Sequence, residues 1–178
     1  MASEKLYGAL AEFDTTASLF SACEQIRDAG FKKWDSHTPF PVHNLDKAMG
    51  LPASILPWLV FVMGLTGAGA GLLLQWWTSA VNYPLVISGK PLFSWQAFVP
   101  ICFELMVLFC ALGAVFGMFH LNRLPQLYHS LFRSERFARV TDDKFFISIE
   151  AVDPKFDKLD TVELLKKVGA THVELVEE

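Results

Sequence analysis

The sequence predicts an α+β protein whose soluble part is interrupted by a two-helix hairpin that crosses a membrane. Two apolar runs of more than 20 residues, Ser54–Trp77 and Ala97–Phe119, predict the hairpin, because neither run has a polar stripe at helical spacing. The soluble part is predicted by a strand–helix–strand pattern that occurs once before these runs and once after them.

Each apolar run is long enough to cross a membrane, since a helix rises about 1.5 Å per residue and the hydrocarbon core is roughly 30 Å thick. Glu104 is the one charged side chain within the two runs. The alternative is a pair of buried helices in a large soluble domain, but a chain of 178 residues could hardly cover two such helices on all sides. We therefore expect helices at about 54–77 and 97–119.

The segment before the hairpin predicts strand, helix and strand. Lys5–Phe13 alternates as a strand does, and Asp14 is a suitable N-cap for the helix that follows. Gly30 is expected to end that helix, and a second strand is predicted around Phe31–Ser36, before the loop His37–Leu45. The apolar face of the helix comprises Leu19, Phe20, Cys23 and Ile26.

The segment after the hairpin repeats this order once an irregular stretch, Arg123–Val140, has passed. Lys144–Ala151 alternates as a strand, with Phe145, Ile147, Ile149 and Ala151 on one face. Asp160 is predicted to cap a short helix, with Glu163 completing a capping box. Val162, Leu165 and Val168 form its apolar face, Gly169 closes it, and Thr171–Val176 is the last strand.

Together the two segments give the β-α-β and β-α-β element order of the ferredoxin-like fold. We expect one such cytoplasmic domain with the hairpin inserted between its second and third strands. Residues 1–47 would form its first half, 48–122 the hairpin, and 123–178 a juxtamembrane linker and the second half. The alternative is two small separate appendages, whose strands would not share one sheet.

Positive charges predict the orientation in the membrane. Lys47 precedes the first apolar run and Arg123, Arg133, Arg136 and Arg139 follow the second, whereas the connecting loop, Thr78–Gln96, has only Lys90. The positive-inside rule therefore places both termini in the cytoplasm.

The composition argues against several classes of function. A net charge of −4 disfavours a nucleic-acid-binding protein. The cysteines, Cys23, Cys102 and Cys110, show no CxxC or other ligand spacing, so we expect buried thiols rather than a disulfide framework, a structural zinc or a c-type haem. No catalytic, cofactor-binding or metal-binding residues can be assigned.

Glu104 is the one ionisable group in the spans, and a carboxylate in hydrocarbon is costly unless it is protonated or paired. Gln75 should lie at a similar depth in the first helix. The two residues could be a proton relay, or Glu104 could be a neutral acid that hydrogen-bonds to Gln75 or to a neighbouring subunit. The sequence leaves both possibilities open.

Two further patterns suggest contacts rather than chemistry. Gly67 and Gly71 on the first helix, and Gly113 and Gly117 on the second, form small-xxx-small patterns that allow helices to approach closely. They predict packing within the hairpin or against a partner. The arginines of 123–139 could bind lipid head groups or an acidic partner, or belong to a solvated linker.

Several blocks of the sequence resemble one known family. They are LYGALAEFD, HTPFPVHNLDKAMGLPASILPW, NYPLVISGKPLFSWQAFVPICFELMVLFCALGAVFGM and RFARVTDDKFFISIEA. These blocks are similar to ActD, the small two-helix membrane component of bacterial alternative complex III, and the most specific of them spans Asn82–Met118. The resemblance covers nearly the whole chain.

The resemblance implies an inner-membrane subunit of a respiratory quinol:electron-acceptor oxidoreductase, which passes electrons to cytochrome c or to a terminal oxidase. It implies that haem c, the iron–sulfur clusters and the quinol site belong to partner subunits, and that this chain has a structural role in assembly beside the large integral subunits. From the residues alone, the alternative is a membrane-anchored regulatory or ligand-sensing module that acts on another membrane protein.

Overall fold

The computed structural model describes residues 5–178, and residues 1–4 of the predicted first half lie outside this range. The chain forms two compact units. One unit, the sheet unit, comprises the described residues up to Pro52 together with Leu127–Glu178, and the other, the hairpin unit, comprises Ala53–Gln126.

The sheet unit contains one four-stranded antiparallel sheet built from β1 (Leu6–Phe13), β2 (Trp34–His37), β3 (Phe145–Glu150) and β4 (His172–Glu177). The strand order is β2-β3-β1-β4. Ala11 of β1 lies opposite Ile147 of β3 on one side and Val173 of β4 on the other. Strands from before and after the two apolar runs therefore share one sheet, which excludes two separate appendages.

Two amphipathic helices, α1 (Thr16–Ala29) and α5 (Lys158–Lys167), contribute to the core on one face of the sheet. The apolar face predicted for β3 is buried in this core, where it contributes Phe145, Ile147 and Ile149. Helix α1 adds Leu19, Ala22, Cys23 and Ile26, and α5 adds Leu165. A short helix that the sequence did not predict, α2 (Leu45–Met49), contributes Ala48.

Both predicted N-caps were wrong. The Thr15 hydroxyl caps α1 by accepting from the Ser18 backbone N–H at 3.2 Å. Asp14 instead pairs with the Lys144 ammonium and accepts from the Thr171 hydroxyl. The cap of α5 is Asp157, whose carboxylate accepts the backbone N–H of Leu159 at 2.9 Å and that of Asp160 at 3.2 Å.

Asp153 explains why β2 begins at Trp34 rather than near Phe31. One oxygen of its carboxylate accepts the backbone N–H groups of Lys32 and Lys33, each at 2.6 Å. Those two N–H groups are therefore bonded to a side chain and not to a neighbouring strand. The shorter strand that remains pairs with β3 from Trp34 to His37.

The other face of the sheet is covered by the segment 127–143, which contains 3₁₀ helices at Ser130–Arg133 and Arg136–Thr141. Leu131 and Phe137 from this segment form a second apolar cluster with Leu10, Phe146 and Val176 of the sheet. Much of the stretch that the sequence predicted to be irregular is thus a packed layer.

The hairpin unit contains the long helices α3 (Leu56–Trp76) and α4 (Trp95–Leu121). A π-helical turn, Trp77–Asn82, continues α3, so each continuous helix has 27 residues and is long and apolar enough to cross a membrane. In chain order both helices lie between β2 and β3. The first begins two residues later than predicted, and the second extends two residues further at each end.

Candidate functional site

The contact between α3 and α4, here called the seam, is built on glycines from both helices. Gly67 and Gly71 of α3 and Gly113 and Gly117 of α4 are buried in it. The structure therefore places all four predicted packing glycines in one contact within the hairpin. A fifth buried glycine, Gly64, was not predicted from the sequence, although the spacing of glycines at 64, 67 and 71 repeats the same helical face.

The glycines of the seam make two kinds of contact, with backbone and with side chains. A Cβ added at Gly67 would lie 2.5 Å from the Leu105 carbonyl oxygen, and one added at Gly71 would lie 3.1 Å from the Cys102 Cα. These α3 glycines therefore allow close approach to the backbone of α4. On α4, a Cβ at Gly113 would meet the Met63 side chain at 2.9 Å. Here the glycine makes room for a side chain rather than for backbone.

Gln75 joins the two helices near the end of α3. Its amide Nε2 donates to the Gly71 carbonyl oxygen in its own helix and to the Phe98 carbonyl oxygen of α4, both at 3.1 Å. Nε2 also lies 3.5 Å from the Cys102 sulfur. The side chain is therefore a polar link within the seam, which satisfies its donor in an apolar setting.

Glu104 lies elsewhere on α4, exposed on the outer surface of the helix. Within residues 5–178 its carboxyl group has no hydrogen-bond or ion-pair partner. Two residues along a helix correspond to a rotation of about 200°, so Glu104 faces away from the seam that Cys102 lines. The structure therefore does not bring Glu104 and Gln75 together.

In the sheet unit, a buried carboxylate holds the segment 127–143 against the sheet. Glu12 of β1 is only 4% exposed, and its Oε2 lies 3.1 Å from a terminal nitrogen of Arg136. Arg139 approaches the other oxygen at 3.9 Å and pairs with Asp143 at 2.6 Å. The arginine-rich stretch is thus engaged in ion pairs within its own unit at these two positions.

A chain of polar side chains lies beside this cluster on the same face of the sheet. His37 Nε2 lies 3.0 Å from the Ser148 hydroxyl, and the Tyr7 hydroxyl lies 3.5 Å from His129 Nε2. Burial lowers the pKa of His37, the nearby His129 lowers it further, and the Asp35 carboxylate opposes both. Burial, with the charges of Glu150 and Asp35, raises the pKa of Tyr7 to about 12.

These polar groups on the second sheet face were not predicted from the sequence. One signal was available for Glu12, because a charged residue within the alternating strand LYGALAEF requires a partner if that face is covered. Across residues 5–178, no group of three or more histidine, cysteine, aspartate or glutamate side chains is placed to hold a metal ion.

Comparison with protein families decides what these units belong to. Residues 7–175 match the family model described as alternative complex III, ActD subunit. The chain belongs to this family. No sequence match to a curated protein is found.

Membership of the ActD family confirms the resemblance stated above and gives the chain its setting. It is a subunit of alternative complex III, its partners are the other subunits of that complex, and its role lies in electron transport. The two helices that are long and apolar enough to span a membrane agree with the membrane location of such a complex.

Proposed function

We propose that this chain is a non-catalytic structural subunit that supports assembly of the quinol:cytochrome c or quinol:oxidase oxidoreductase. One observation carries the proposal: the hairpin fills its own seam but leaves its outer surface apolar. Exposed side chains on this surface include Trp58, Phe61, Leu65, Leu73, Phe103 and Phe116. Surfaces of this kind suit lipid tails and the transmembrane helices of other subunits.

The partners that we propose for this surface are the large integral quinol-binding subunits and the surrounding lipids. A terminal cytochrome oxidase is proposed as a further partner of the complex. These partners follow from the expected role of the family, and the apolar outer surface of α3 and α4 supports them. Haem c, the iron–sulfur clusters and the quinol site are proposed to lie in the partner subunits.

The test is the fate of the complex when the seam is disturbed. A Gly113→Leu variant should lower the recovery of the whole complex at least tenfold, because a leucine there collides with Met63 and forces the helices apart. The matched control is Gly69→Leu on α3, since a Cβ at Gly69 meets nothing within 4 Å. Normal recovery and quinol oxidation in the Gly113→Leu strain would contradict the proposal.

We also propose that both termini and the sheet unit lie in the cytoplasm of a bacterium and that the hairpin spans its inner membrane twice. Lysine and arginine are in excess before the first apolar run and after the second, whereas the connecting loop, Thr78–Gln96, has only Lys90. By the positive-inside rule, this distribution supports the proposed orientation. A reporter that is active only in the cytoplasm should be active when fused after Glu178 and inactive when inserted near Gly89. The reverse pattern would contradict the orientation.

For the soluble part, we propose one ferredoxin-like domain formed by the described residues up to Pro52 together with Leu127–Glu178, with the hairpin unit, Ala53–Gln126, inserted between β2 and β3. The strand order β2-β3-β1-β4 and the placement of α1 and α5 in one core support this classification. The packing of residues 127–143 on the second face of the sheet is an addition to that fold.

We propose that Glu104 makes an intramembrane hydrogen bond and is not a proton relay. Its separation from Gln75, whose donor is engaged by Gly71 and Phe98, removes the relay partner that the sequence suggested and supports a bond to a neighbouring subunit. A Glu104→Gln variant cannot carry a proton by titration. Should that variant lose proton release while quinol oxidation and assembly are retained, the relay would be favoured instead.

A ligand-sensing role is the second candidate, and one observation favours it. A cavity of about 540 Å³ opens in the sheet unit beside His37 and is lined by Ser36, Thr38, Pro39, Phe132 and Phe137. A small molecule bound there should raise the thermal stability of the full chain in detergent and should lose this effect in a Phe132→Ala variant. Stabilisation that survives in this variant would place the ligand elsewhere.

A further inference from the structure

A surface on α4, here called the Glu104 face, has the spacing of a helix-packing seam but no helix packed on it within the described residues. Its members recur at intervals of four and three residues, as the contact positions of paired helices do. All six are exposed. They are Ala97, Ile101, Glu104, Leu108, Ala111 and Val115.

The Glu104 face lies on the side of α4 that is turned away from α3. Residues of α4 that contact α3 include Cys102, Leu105 and Gly113. By contrast, Ile101 is 45% exposed, Leu108 is 50% exposed and Val115 is 46% exposed. Near both ends of the face, Ala97 and Ala111 have small side chains that project little from the helix, so another helix could approach closely.

The carboxyl group of Glu104 determines what kind of surface must cover this face. Lipid tails offer no hydrogen-bond donor, and a carboxyl group left against them is unsatisfied. The hairpin supplies no donor at that position, because the Glu104 carboxyl group has no hydrogen-bond partner within residues 5–178 and the Gln75 amide is bonded to the carbonyl oxygens of Gly71 and Phe98. No lysine or arginine occurs within α3 or α4 to balance the charge.

We propose that the Glu104 face binds a transmembrane helix of another subunit of the complex, and that this helix presents a basic side chain to the Glu104 carboxylate. This inference rests on the proposed structural role and adds the face, the partner element and its chemistry. The basic side chain supplies both the donor and the charge that the hairpin lacks, while the small and branched residues on either side pack against the apolar part of the partner helix.

The experiment uses the whole complex in native membranes with a benzoylphenylalanine photocrosslinker at Leu108. The expected adduct is with a transmembrane segment of one partner subunit, identified by mass spectrometry, and this segment carries an arginine, lysine or histidine within one turn of the crosslink. An intact complex in which Leu108 crosslinks only to lipid, or to a helix without a basic residue there, would overturn the inference while leaving the structural role in place. Failure of the chain to co-purify with any other component of the complex would overturn both.

Substitutions test the charge pair itself. Glu104→Leu should reduce recovery of the complex at least tenfold, and Glu104→Lys should reduce it further, because two cations would then face each other. Phe103→Leu is the control, since it changes a side chain that is 58% exposed on the same turn but keeps it apolar and leaves the Glu104 carboxyl group in place. Recovery should return when Glu104→Lys is combined with an acidic residue at the basic partner position. Unchanged recovery in Glu104→Leu, or no rescue by the exchanged pair, would overturn the inference.

Discussion

Gly67 and Leu105 lie so close that a methyl group on Gly67 would sit 2.5 Å from the Leu105 carbonyl oxygen. If the backbone of α4 moved away from Gly67, the neighbouring contacts of Gly64 with Cys110 and of Gly71 with Cys102 would also be weakened. The hairpin therefore depends on the absence of a side chain at Gly67, in a helix whose outer surface carries large residues such as Phe61 and Leu65.

The first prediction concerns this contact. Gly67→Ala should destabilise the hairpin by about 1–3 kcal/mol, because the added methyl group overpacks a contact with backbone. Gly69→Ala is the matched control and should be neutral or up to about 1 kcal/mol stabilising, since alanine is the better helix former. Thermal unfolding of the full chain in detergent measures both, and equal melting temperatures for the two variants would contradict a close backbone contact at Gly67.

The second prediction concerns the ion pair between Glu12 and Arg136. Arg136→Ala should destabilise the sheet unit by about 1–2 kcal/mol, because it removes the closest partner of a buried carboxylate while leaving Arg139 nearby. The figure is modest because the Arg136 side chain is half exposed. A double-mutant cycle with Glu12→Gln should show coupling between the two positions.

Lys5 provides the control for this ion pair. It pairs with Glu178 at 3.0 Å, but its side chain is 73% exposed. Lys5→Ala should therefore change stability by less than about 1 kcal/mol. If Lys5→Ala proved as destabilising as Arg136→Ala, burial of Glu12 would not be the cause of the larger effect.

The third prediction is a dependence of stability on pH that originates at His37. Burial holds the pKa of His37 below the ordinary value of 6.5, so the unfolded chain binds the proton more readily than the folded chain. Stability should therefore be constant above neutral pH and should fall as the pH drops through 6.5 towards the folded-state pKa. His37→Gln should flatten this part of the curve, whereas the exposed His43→Gln should not. Identical pH profiles for His37→Gln and the wild type would refute this assignment.

The fourth prediction concerns Asp153, which is 4% exposed and accepts the backbone N–H groups of Lys32, Lys33 and Lys155. Burial disfavours its carboxylate, but these hydrogen bonds outweigh burial and keep the pKa of Asp153 below 3.8. Asp153→Ala should cost about 2–4 kcal/mol, because it leaves these N–H groups without their acceptor. Denaturant unfolding of the full chain measures the loss.

Two checks accompany the Asp153 variant. Asp142→Ala is the control, since Asp142 is exposed, and it should change stability by less than about 0.5 kcal/mol. The stability that Asp153 contributes should be present above pH 3.8 and lost as the pH falls through its lowered pKa. A variant as stable as the wild type at pH 7 would contradict the role of its three hydrogen bonds.

Local patterns were sufficient to predict most elements of this fold. The alternation around Ile147 predicted β3, the apolar runs predicted α3 and α4, and Gly30 predicted the end of α1, where it adopts a φ of +83°. The caps were not predictable in the same way. Asp14 and Thr15 are adjacent and either side chain can cap a helix, so the choice was made by Lys144 and Thr171, far away in sequence.

The candidate site was less predictable than the elements, because its arrangement depends on rotation and on tertiary contacts. Similar depth suggested that Gln75 and Glu104 would meet, but depth does not fix the direction in which a residue on a helix faces. Likewise, the arginines of 123–139 indicated positive charge, whereas pairing of Arg136 with Glu12 required the sheet to bring together residues 124 positions apart. Neither the separation of Gln75 from Glu104 nor the pairing of Arg136 with Glu12 produces a pattern that can be recognised in a short stretch of sequence.

The pairing of β1 with β3 and β4 has a consequence for biosynthesis. When the ribosome has made β1, α1 and β2, the central strand of the sheet has neither neighbour, and both arrive only after the two long helices have been translated. The sheet unit can complete its folding only after the hairpin unit has left the ribosome. Translation that stopped after Leu121 would leave β1 with two open edges, a target for aggregation and proteolysis. Because of this order of elements, the complete sheet can form only in chains whose hairpin has been fully synthesised.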